Sequence, residues 1–243
     1  MQKSKIEWTN WTWNPITGCT KGCVYCYARK MAENPFYAKA FPYEFEPHFY
    51  VERLTVMKAK PGDKIFVCSM GELFGDRPDW TRKVLDTISL FPDRTYQLLT
   101  KRPENLIQFS PFPDNCWVGI SAESTNPALQ AMAKFNSISA KVKFVSYEPL
   151  LENIGSDLEW WPQHYKESGI NWIIIGQQTP VKKHKLPLAW VEKIIKVADK
   201  ANVKVFLKNN LISVFPQDEK TTCYQIPEWA LGEKNWLRQE FPI

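Results

Sequence analysis

The chain has 243 residues, 44% of them hydrophobic and 23% charged, which is typical of one globular domain and excludes a disordered or fibrous chain. It contains no long apolar run and no apolar signal core near its start. We therefore expect no transmembrane span, no export signal and no membrane partner, and a cytoplasmic location. Its 31 Lys and Arg residues exceed its 26 Asp and Glu residues by five, which permits a polyanionic partner without requiring one.

Short runs rich in β-branched and aromatic residues predict strands along the chain, and amphipathic patterns between them predict helices. The predicted strands are 11–16, 64–69, 96–100, 117–121, 142–146, 172–175 and 203–207. The predicted helices are 26–39, 51–59, 79–90, 103–109, 127–134 and 188–201. Asp79 is the expected N-cap of the helix 79–90. The segments 43–48 and 152–169 show neither pattern, and we expect both to be irregular.

Apolar strands that alternate with amphipathic helices predict a parallel sheet covered by helices. We therefore expect an α/β fold, a partial (β/α) barrel of about six or seven parallel strands with helices outside. It is expected to form a single domain over residues 1–243. Functional residues in such folds gather at the carboxyl ends of the strands, and those ends are polar in this chain.

Three of the six cysteines, Cys19, Cys23 and Cys26, lie in one loop, 18–27, directly after the first predicted strand. Disulfides do not persist in the cytosol, so this spacing is more typical of a metal site. Three thiolates can hold three irons of a [4Fe-4S] cluster and leave the fourth iron open. The same spacing could serve zinc, but no histidine or cysteine at a short fixed offset completes a four-ligand site.

The string from Cys19 to Cys26, with Tyr25 before the last cysteine, resembles the cluster loop of the radical S-adenosylmethionine (radical SAM) superfamily. Further strings resemble a phage-associated radical SAM family of unassigned substrate. They are Trp13-Asn14-Pro15, Gly22-Cys23, Cys26-Tyr27-Ala28, Ser69-Met70, Leu99-Thr100-Lys101-Arg102-Pro103, Gly119-Ile120-Ser121, Glu123, Ser146, Glu148-Pro149-Leu150 and the strand from Trp172 to Gly176. These strings cover about residues 10 to 210.

The resemblance implies a [4Fe-4S] cluster whose open iron binds S-adenosylmethionine. It further implies reductive cleavage to a 5'-deoxyadenosyl radical, with electrons from an external donor. It also implies that polar strand ends contact the cofactor. The implied contacts are Ser69, Met70, Gly71 and Glu72 for the ammonium, Lys101 for the carboxylate, Ser121, Glu123 or Glu148 for the ribose, and Tyr25 near the adenine.

Basic residues predicted to follow strands would ring the mouth that exposes the cluster, which favours a nucleic acid or nucleotide as substrate. Besides Lys101, they are Arg102, Lys182, Lys183, Lys185 and Lys208. The alternative hypothesis is a non-catalytic module that binds zinc or an iron–sulfur cluster and docks nucleic acid. Among the other cysteines, Cys223 is a candidate reactive thiol or hydrogen donor, while Cys68 and Cys116 are expected to be small apolar core residues.

Overall fold

The computed structural model describes residues 1–54, 58–154, 159–179, 186–218, 223–233 and 236–242. By their contacts, these residues form two compact units. Unit 1 comprises Met1–Gly119 and Ser139–Lys141, and unit 2 comprises Ile120–Ile138 and Val142–Ile243. The single domain over residues 1–243 stays a prediction. Within the described residues, every helix is too short or too polar to cross a membrane.

Unit 1 is built on a mostly parallel sheet. Its strands are β1 (Gln2–Lys3), β2 (Trp11–Trp13), β3 (Ile16–Thr17), β4 (His48–Phe49), β5 (Lys64–Val67), β6 (Thr95–Thr100) and most of β7 (Cys116–Ser121). The sheet has the order β1-β2-β5-β6-β7, while β3 and β4 form a separate antiparallel pair. Strand β5 runs parallel to both β2 and β6, with Val67 opposite Trp13 and Leu98. The carboxyl ends of these three strands therefore meet at one edge.

Two α-helices accompany these strands, α1 (Tyr27–Ala32) and α2 (Pro78–Ser89). Helix α2 begins at Pro78, whose fixed φ suits the first helical position. Its Val84 and Ile88 are fully buried, so one stripe of the helix faces the core. Three 3-10 helices within the described part of unit 1 cover Pro35–Ala40, Val51–Leu54 and Pro103–Phe109.

Unit 2 repeats the alternation of strands and helices. Its elements are α3 (Thr125–Phe135), β8 (Val142–Tyr147), α4 (Trp161–Glu167), β9 (Ile170–Ile175), α5 (Leu188–Ala201), β10 (Lys204–Leu207) and 3-10 helices at Asn209–Val214 and Glu228–Ala230. Strand β9 runs parallel to both β8 and β10. Helix α5 ends where Asn202 adopts a left-handed conformation, with φ of 57°, which asparagine tolerates well.

The predicted α/β fold class, with parallel strands that alternate with helices, is confirmed. Each predicted strand overlaps a strand of the structure, but 11–16 overlaps two strands, β2 and β3, which are separated by Asn14 and Pro15. Proline has no N–H to donate to a ladder, which accounts for the break.

Several helix predictions need correction. The predicted helix 26–39 is divided into α1 and a 3-10 helix, because Pro35 disfavours helical geometry at the residue before it. The segment 103–109 is a 3-10 helix. Of the predicted helix 51–59, Val51–Leu54 form a 3-10 helix, residues 55–57 lie outside those described, and residues 58–59 are not helical. The prediction that Asp79 is the N-cap of this helix is wrong. Arg77 is the N-cap of α2, and Asp79 lies in its first turn.

The segment 152–169 was expected to be irregular, but it contains α4. Trp161 and Tyr165 lie one helical turn apart and are each 1% exposed, so two aromatic side chains anchor the helix in the core. The Tyr165 and Tyr147 hydroxyls share a buried hydrogen bond of 2.6 Å. This short helix depends on tertiary packing more than on its own propensity.

Replacing Trp161 with alanine should lower the free energy of unfolding by about 3–5 kcal/mol, because a fully buried indole leaves a cavity. Urea denaturation followed by fluorescence measures the change. Trp160→Ala is the matched control, since the neighbouring indole is 39% exposed, and its cost should be clearly smaller. Equal losses for the two variants would contradict the packing role assigned to α4.

Candidate functional site

Two glycines bring the loop after β3 against the loop after β5. The Gly18 N–H donates to the Met70 carbonyl at 3.0 Å, and the Glu72 N–H donates to the Gly18 carbonyl at 3.1 Å. A Cβ on Gly18 would lie 2.2 Å from the Glu46 carbonyl oxygen, and one on Gly71 would lie 2.8 Å from the Thr17 Cα. The two backbones approach this closely only because Gly71 has no side chain, whereas the missing side chain of Gly18 leaves room for the backbone of Phe45 and Glu46.

The three cysteines of the loop 18–27 follow this contact directly. All three are free thiols, and all are partly exposed. The Cys26 N–H donates to the Cys23 carbonyl at 3.1 Å, which closes a tight turn between these two cysteines. The Cys26 Sγ is the N-cap acceptor of α1 and accepts from the Arg29 N–H at 3.4 Å.

The first cysteine is held by its own loop. The Cys19 Sγ accepts from the Lys21 N–H at 3.3 Å. Burial raises the pKa of the Cys19 thiol, and this hydrogen bond opposes the shift. Across the described ranges, no group of three or more His, Cys, Asp or Glu side chains is arranged to hold a metal ion. The donor chemistry of three free thiols in one loop nevertheless fits the ligands of an iron–sulfur cluster.

A small apolar core fixes the inner side of this loop. Ala28, Ala32 and Phe45 are buried together, and Cys19, Cys26, Phe41 and Met70 pack against them. The Arg29 guanidinium lies 4.7 Å from the centre of the Phe45 ring and donates to the Cys19 carbonyl at 3.0 Å. Helix α1 and the first cysteine are thus held to the same core.

Glu72 joins the loop after β5 to the loop after β6. Its carboxylate accepts from the Thr100 hydroxyl at 2.7 Å, from the Lys101 N–H at 3.1 Å and from the Phe74 N–H at 3.0 Å. Removal of the carboxyl group from water raises the pKa of Glu72, and the three hydrogen bonds partly offset this effect. Its predicted contact with a cofactor ammonium stays a prediction.

Other predicted cofactor residues meet in unit 1. The Lys101 ammonium lies 5.2 Å from the centre of the Tyr25 ring, within the range of a cation–π contact. The Ser69 hydroxyl and the Met70 N–H both donate to the Asn14 side chain at 3.1 Å. The structure therefore brings the cysteine loop, Tyr25, the segment 69–72 and Lys101 into one region.

Arg102 forms a network that connects the cysteine loop to the end of β6. Its guanidinium donates to Asp76 at 2.9 Å and to the Thr20 hydroxyl, and Thr20 donates to Asp76 at 3.1 Å. The Lys21 ammonium donates to the Lys101 carbonyl. A pocket of about 230 Å³ opens here, with Cys19, Glu72, Asp76 and Arg102 among its lining residues. A role of Arg102 in substrate binding stays a prediction.

The sequence gives no signal for Thr20 and Asp76 as site residues. They lie 56 residues apart, and Thr20 and Arg102 lie 82 residues apart, so no local spacing connects them. Asn14 belongs to a string that resembles the family, but its contacts with the segment after β5 follow only from the fold.

The remaining predicted cofactor residues lie in unit 2. Ser121 is buried, and Glu123 is partly exposed. Glu148 forms an ion pair with Lys208, with 25% and 14% of the two side chains exposed. Both pack against Gly176, where a Cβ would lie 3.1 Å from the Lys208 Cδ and 3.2 Å from the Glu148 side chain.

The remaining residues singled out from the sequence are three lysines after β9 and the three cysteines outside the loop 18–27. Lys182, Lys183 and Lys185 lie outside the described residues. Cys223 is exposed, and its role as a reactive thiol stays a prediction. Cys68 and Cys116 are buried, which confirms them as core residues, and burial raises the pKa of each thiol to about 12.

Replacing Gly71 with alanine should lower the free energy of unfolding by about 1–3 kcal/mol, because the new Cβ would overlap the Thr17 backbone. Gly75→Ala is the control in the same segment, since a Cβ there would lie no closer than 3.5 Å to Glu72. Urea denaturation of both variants measures the difference. A Gly71→Ala protein as stable as the Gly75→Ala protein would show that the loops do not require this contact.

Comparison with known proteins places the chain in a family. No curated protein matches the chain. It is similar to a solved structure of spore photoproduct lyase complexed with dinucleoside spore photoproduct, at 11% sequence identity and a TM-score of 0.48. That match covers 84% of this chain and 64% of the other chain, less than two thirds of its length. A family described as protein of unknown function (DUF5131) matches residues 3–215, so the chain belongs to that family.

Proposed function

We propose that the chain is a radical SAM enzyme that holds a [4Fe-4S] cluster through Cys19, Cys23 and Cys26. The supporting observation is that all three thiols are free and partly exposed in one loop, which two glycines fix against the segment 69–72. Three thiolate ligands leave one iron without a protein ligand, and this iron is then open to a chelating cofactor. The sequence resemblance to the radical SAM cluster loop agrees with this assignment.

When both groups are bound, the reduced cluster would supply one electron for the cleavage of S-adenosylmethionine into methionine and a 5'-deoxyadenosyl radical, the species that would abstract hydrogen from the substrate. The residues of this chain bind the two groups and orient the cofactor. A carboxylate has about four acceptor sites, so Glu72 can accept the cofactor ammonium in addition to its three present donors. Lys101, beside Tyr25, offers a cation for the cofactor carboxylate.

The other proposed cofactor contacts are Ser121, Glu123 and Glu148. The Glu148–Lys208 pair is mostly buried, so each charge is held in one place by its partner. A fixed carboxylate at the end of β8 is suited to accept hydrogen bonds from ribose hydroxyls.

For the substrate, we propose a nucleic acid or nucleotide. The support is the net charge of +5 and the basic residues that follow the strands, including Lys101, Arg102 and Lys208. Lysine and arginine neutralise phosphates and release counterions, which gives sequence-independent affinity.

Alanine at Cys19, Cys23 or Cys26 should remove most of the bound iron and abolish 5'-deoxyadenosine formation, because two thiolates cannot hold the cluster. Anaerobic reconstitution, iron and sulfide analysis, and chromatography of the cleavage product measure both effects. Cys223→Ala is the matched control, since it removes an exposed cysteine outside the loop.

Two outcomes would contradict the assignment. One is a loop variant that keeps both the iron content and the cleavage activity of the parent. The other is colourless parent protein that carries one zinc per chain after anaerobic purification, which would instead favour the metal-binding module without catalysis.

Changing Lys182, Lys183 and Lys185 together to alanine should flatten the salt dependence of nucleic-acid binding. The slope of the logarithm of the binding constant against the logarithm of the salt concentration should change by up to about three units, because each phosphate contact contributes about 0.7–0.9 to it. Filter binding with DNA and RNA oligonucleotides over a salt series measures the slope. The control carries alanine at three lysines of α5, Lys193, Lys196 and Lys200. Parent protein that shows no salt-sensitive retention of either polymer would contradict a nucleic-acid substrate.

A further inference from the structure

Arg29 of helix α1 contacts two of the three cysteines in the loop 18–27. Its backbone N–H donates to the Cys26 Sγ at 3.4 Å, and its Nη2 donates to the Cys19 carbonyl at 3.0 Å. A single residue therefore connects the first and the last cysteine of the loop, although these cysteines lie on either side of Cys23 in the sequence.

The guanidinium group of Arg29 is held from three directions. Besides its contact with Cys19, its Nη1 donates to Glu33 at 3.0 Å. Its central carbon lies 4.7 Å from the centre of the Phe45 ring, and Phe45 is only 5% exposed. These contacts fix the orientation of the planar group, so the direction of each of its N–H donors is defined.

One donor of this group is unsatisfied. The Arg29 Nε is shielded from solvent and has no hydrogen-bond partner among the residues that the structure describes. The Nε–H and an Nη2–H of arginine share one edge of the planar fork, as Arg77 shows where these two nitrogens donate to the two carboxylate oxygens of Asp79. The unpaired Nε–H of Arg29 therefore lies on the edge that faces Cys19. A buried donor without an acceptor is costly, which indicates an acceptor supplied by a bound group.

We propose that Arg29 is a positioning residue of the cluster and that its Nε–H donates to a cluster sulfur. The proposal rests on the proposed function, which assigns the cluster to the cysteines that Arg29 already contacts. Thiolate and sulfide sulfurs carry negative charge, and this charge grows when the cluster gains an electron. A cationic N–H donor therefore stabilises the reduced state more than the oxidised state, so Arg29 raises the reduction potential of the cluster.

The experiment measures the reduction potential of the reconstituted cluster by spectroelectrochemistry with soluble mediators. The electrode supplies one electron, which the mediators transfer to the cluster. The variants are Arg29→Gln and Arg29→Lys. Lys30→Gln is the matched control for charge, because it removes one positive charge from an exposed position of the same helix. Glu33→Gln is the control for the ion pair on the other edge of the guanidinium.

Arg29→Gln should make one-electron reduction of the cluster about tenfold less favourable, which corresponds to a potential lower by about 59 mV. Arg29→Lys keeps the charge but has no Nε–H, so its potential should lie between those of the parent and Arg29→Gln. Lys30→Gln should shift the potential clearly less, because water and salt screen an exposed charge. Glu33→Gln should not lower the potential, because it leaves the edge that faces Cys19 unchanged.

Parent-like potentials in both Arg29 variants would overturn the proposal, as would an equal shift in Lys30→Gln. Iron analysis and urea denaturation of the cluster-free proteins decide the case in which the Arg29 variants do not load iron. Loss of iron from both variants, with cluster-free proteins as stable as the parent, would support the positioning role. Cluster-free variants that are unfolded would show that Arg29 serves the fold instead, and would overturn the proposal.

Neither of these contradicting results affects the proposed function. Failure of the proposed function has a different signature, namely parent protein that does not load a cluster, or a reduced cluster that yields no 5'-deoxyadenosine.

Discussion

The contact between Gly18 and Gly71 is the constraint on which the candidate site depends. Gly18 forms two backbone hydrogen bonds, of 3.0 and 3.1 Å, with Met70 and Glu72 on either side of Gly71, and the contact leaves no space for a Cβ on Gly71. Because Cys19 follows Gly18 and Glu72 follows Gly71, the contact fixes the start of the cysteine loop beside the carboxylate that joins β5 to β6. Hydrogen bonds between main chains define these positions more sharply than contacts between flexible side chains could.

Local periodicity was sufficient to predict most of the fold, because each predicted strand is a short apolar run and the longest helices are amphipathic. The two-residue strands β1 and β4 have no such run and were not predicted. Helix α5 was predicted at Leu188–Ala201, which are its observed bounds. Helix α4 was missed because Trp161 and Tyr165 are only two anchors, and Pro162 suggests a turn although proline suits a first helical turn. The loop 18–27 stood out by its spacing, whereas the contacts of Thr20 with Asp76 and Arg102 require the tertiary fold to bring distant segments together.

The polar residues of unit 1 already have structural roles in this site. Glu72 accepts three hydrogen bonds, and Arg102 holds both Asp76 and Thr20. Such contacts restrict side-chain rotamers before any ligand arrives, so less conformational entropy is lost on binding. The sequence pattern identifies Glu72 and Arg102 as polar residues that follow strands. Only their hydrogen-bond partners in the structure show that they also connect adjacent loops.

Helix α1 shows how closely the proposed cluster site and the fold are coupled. Six residues are too few to form a stable helix alone, so α1 depends on its N-cap and on the core of Ala28, Ala32 and Phe45. The cap is the Cys26 Sγ, which is also a proposed iron ligand. A thiolate accepts an N–H more strongly than a neutral thiol does, so deprotonation of Cys26 as a cluster ligand would strengthen the cap on Arg29. Completion of the proposed cluster site would thus also stabilise helix α1.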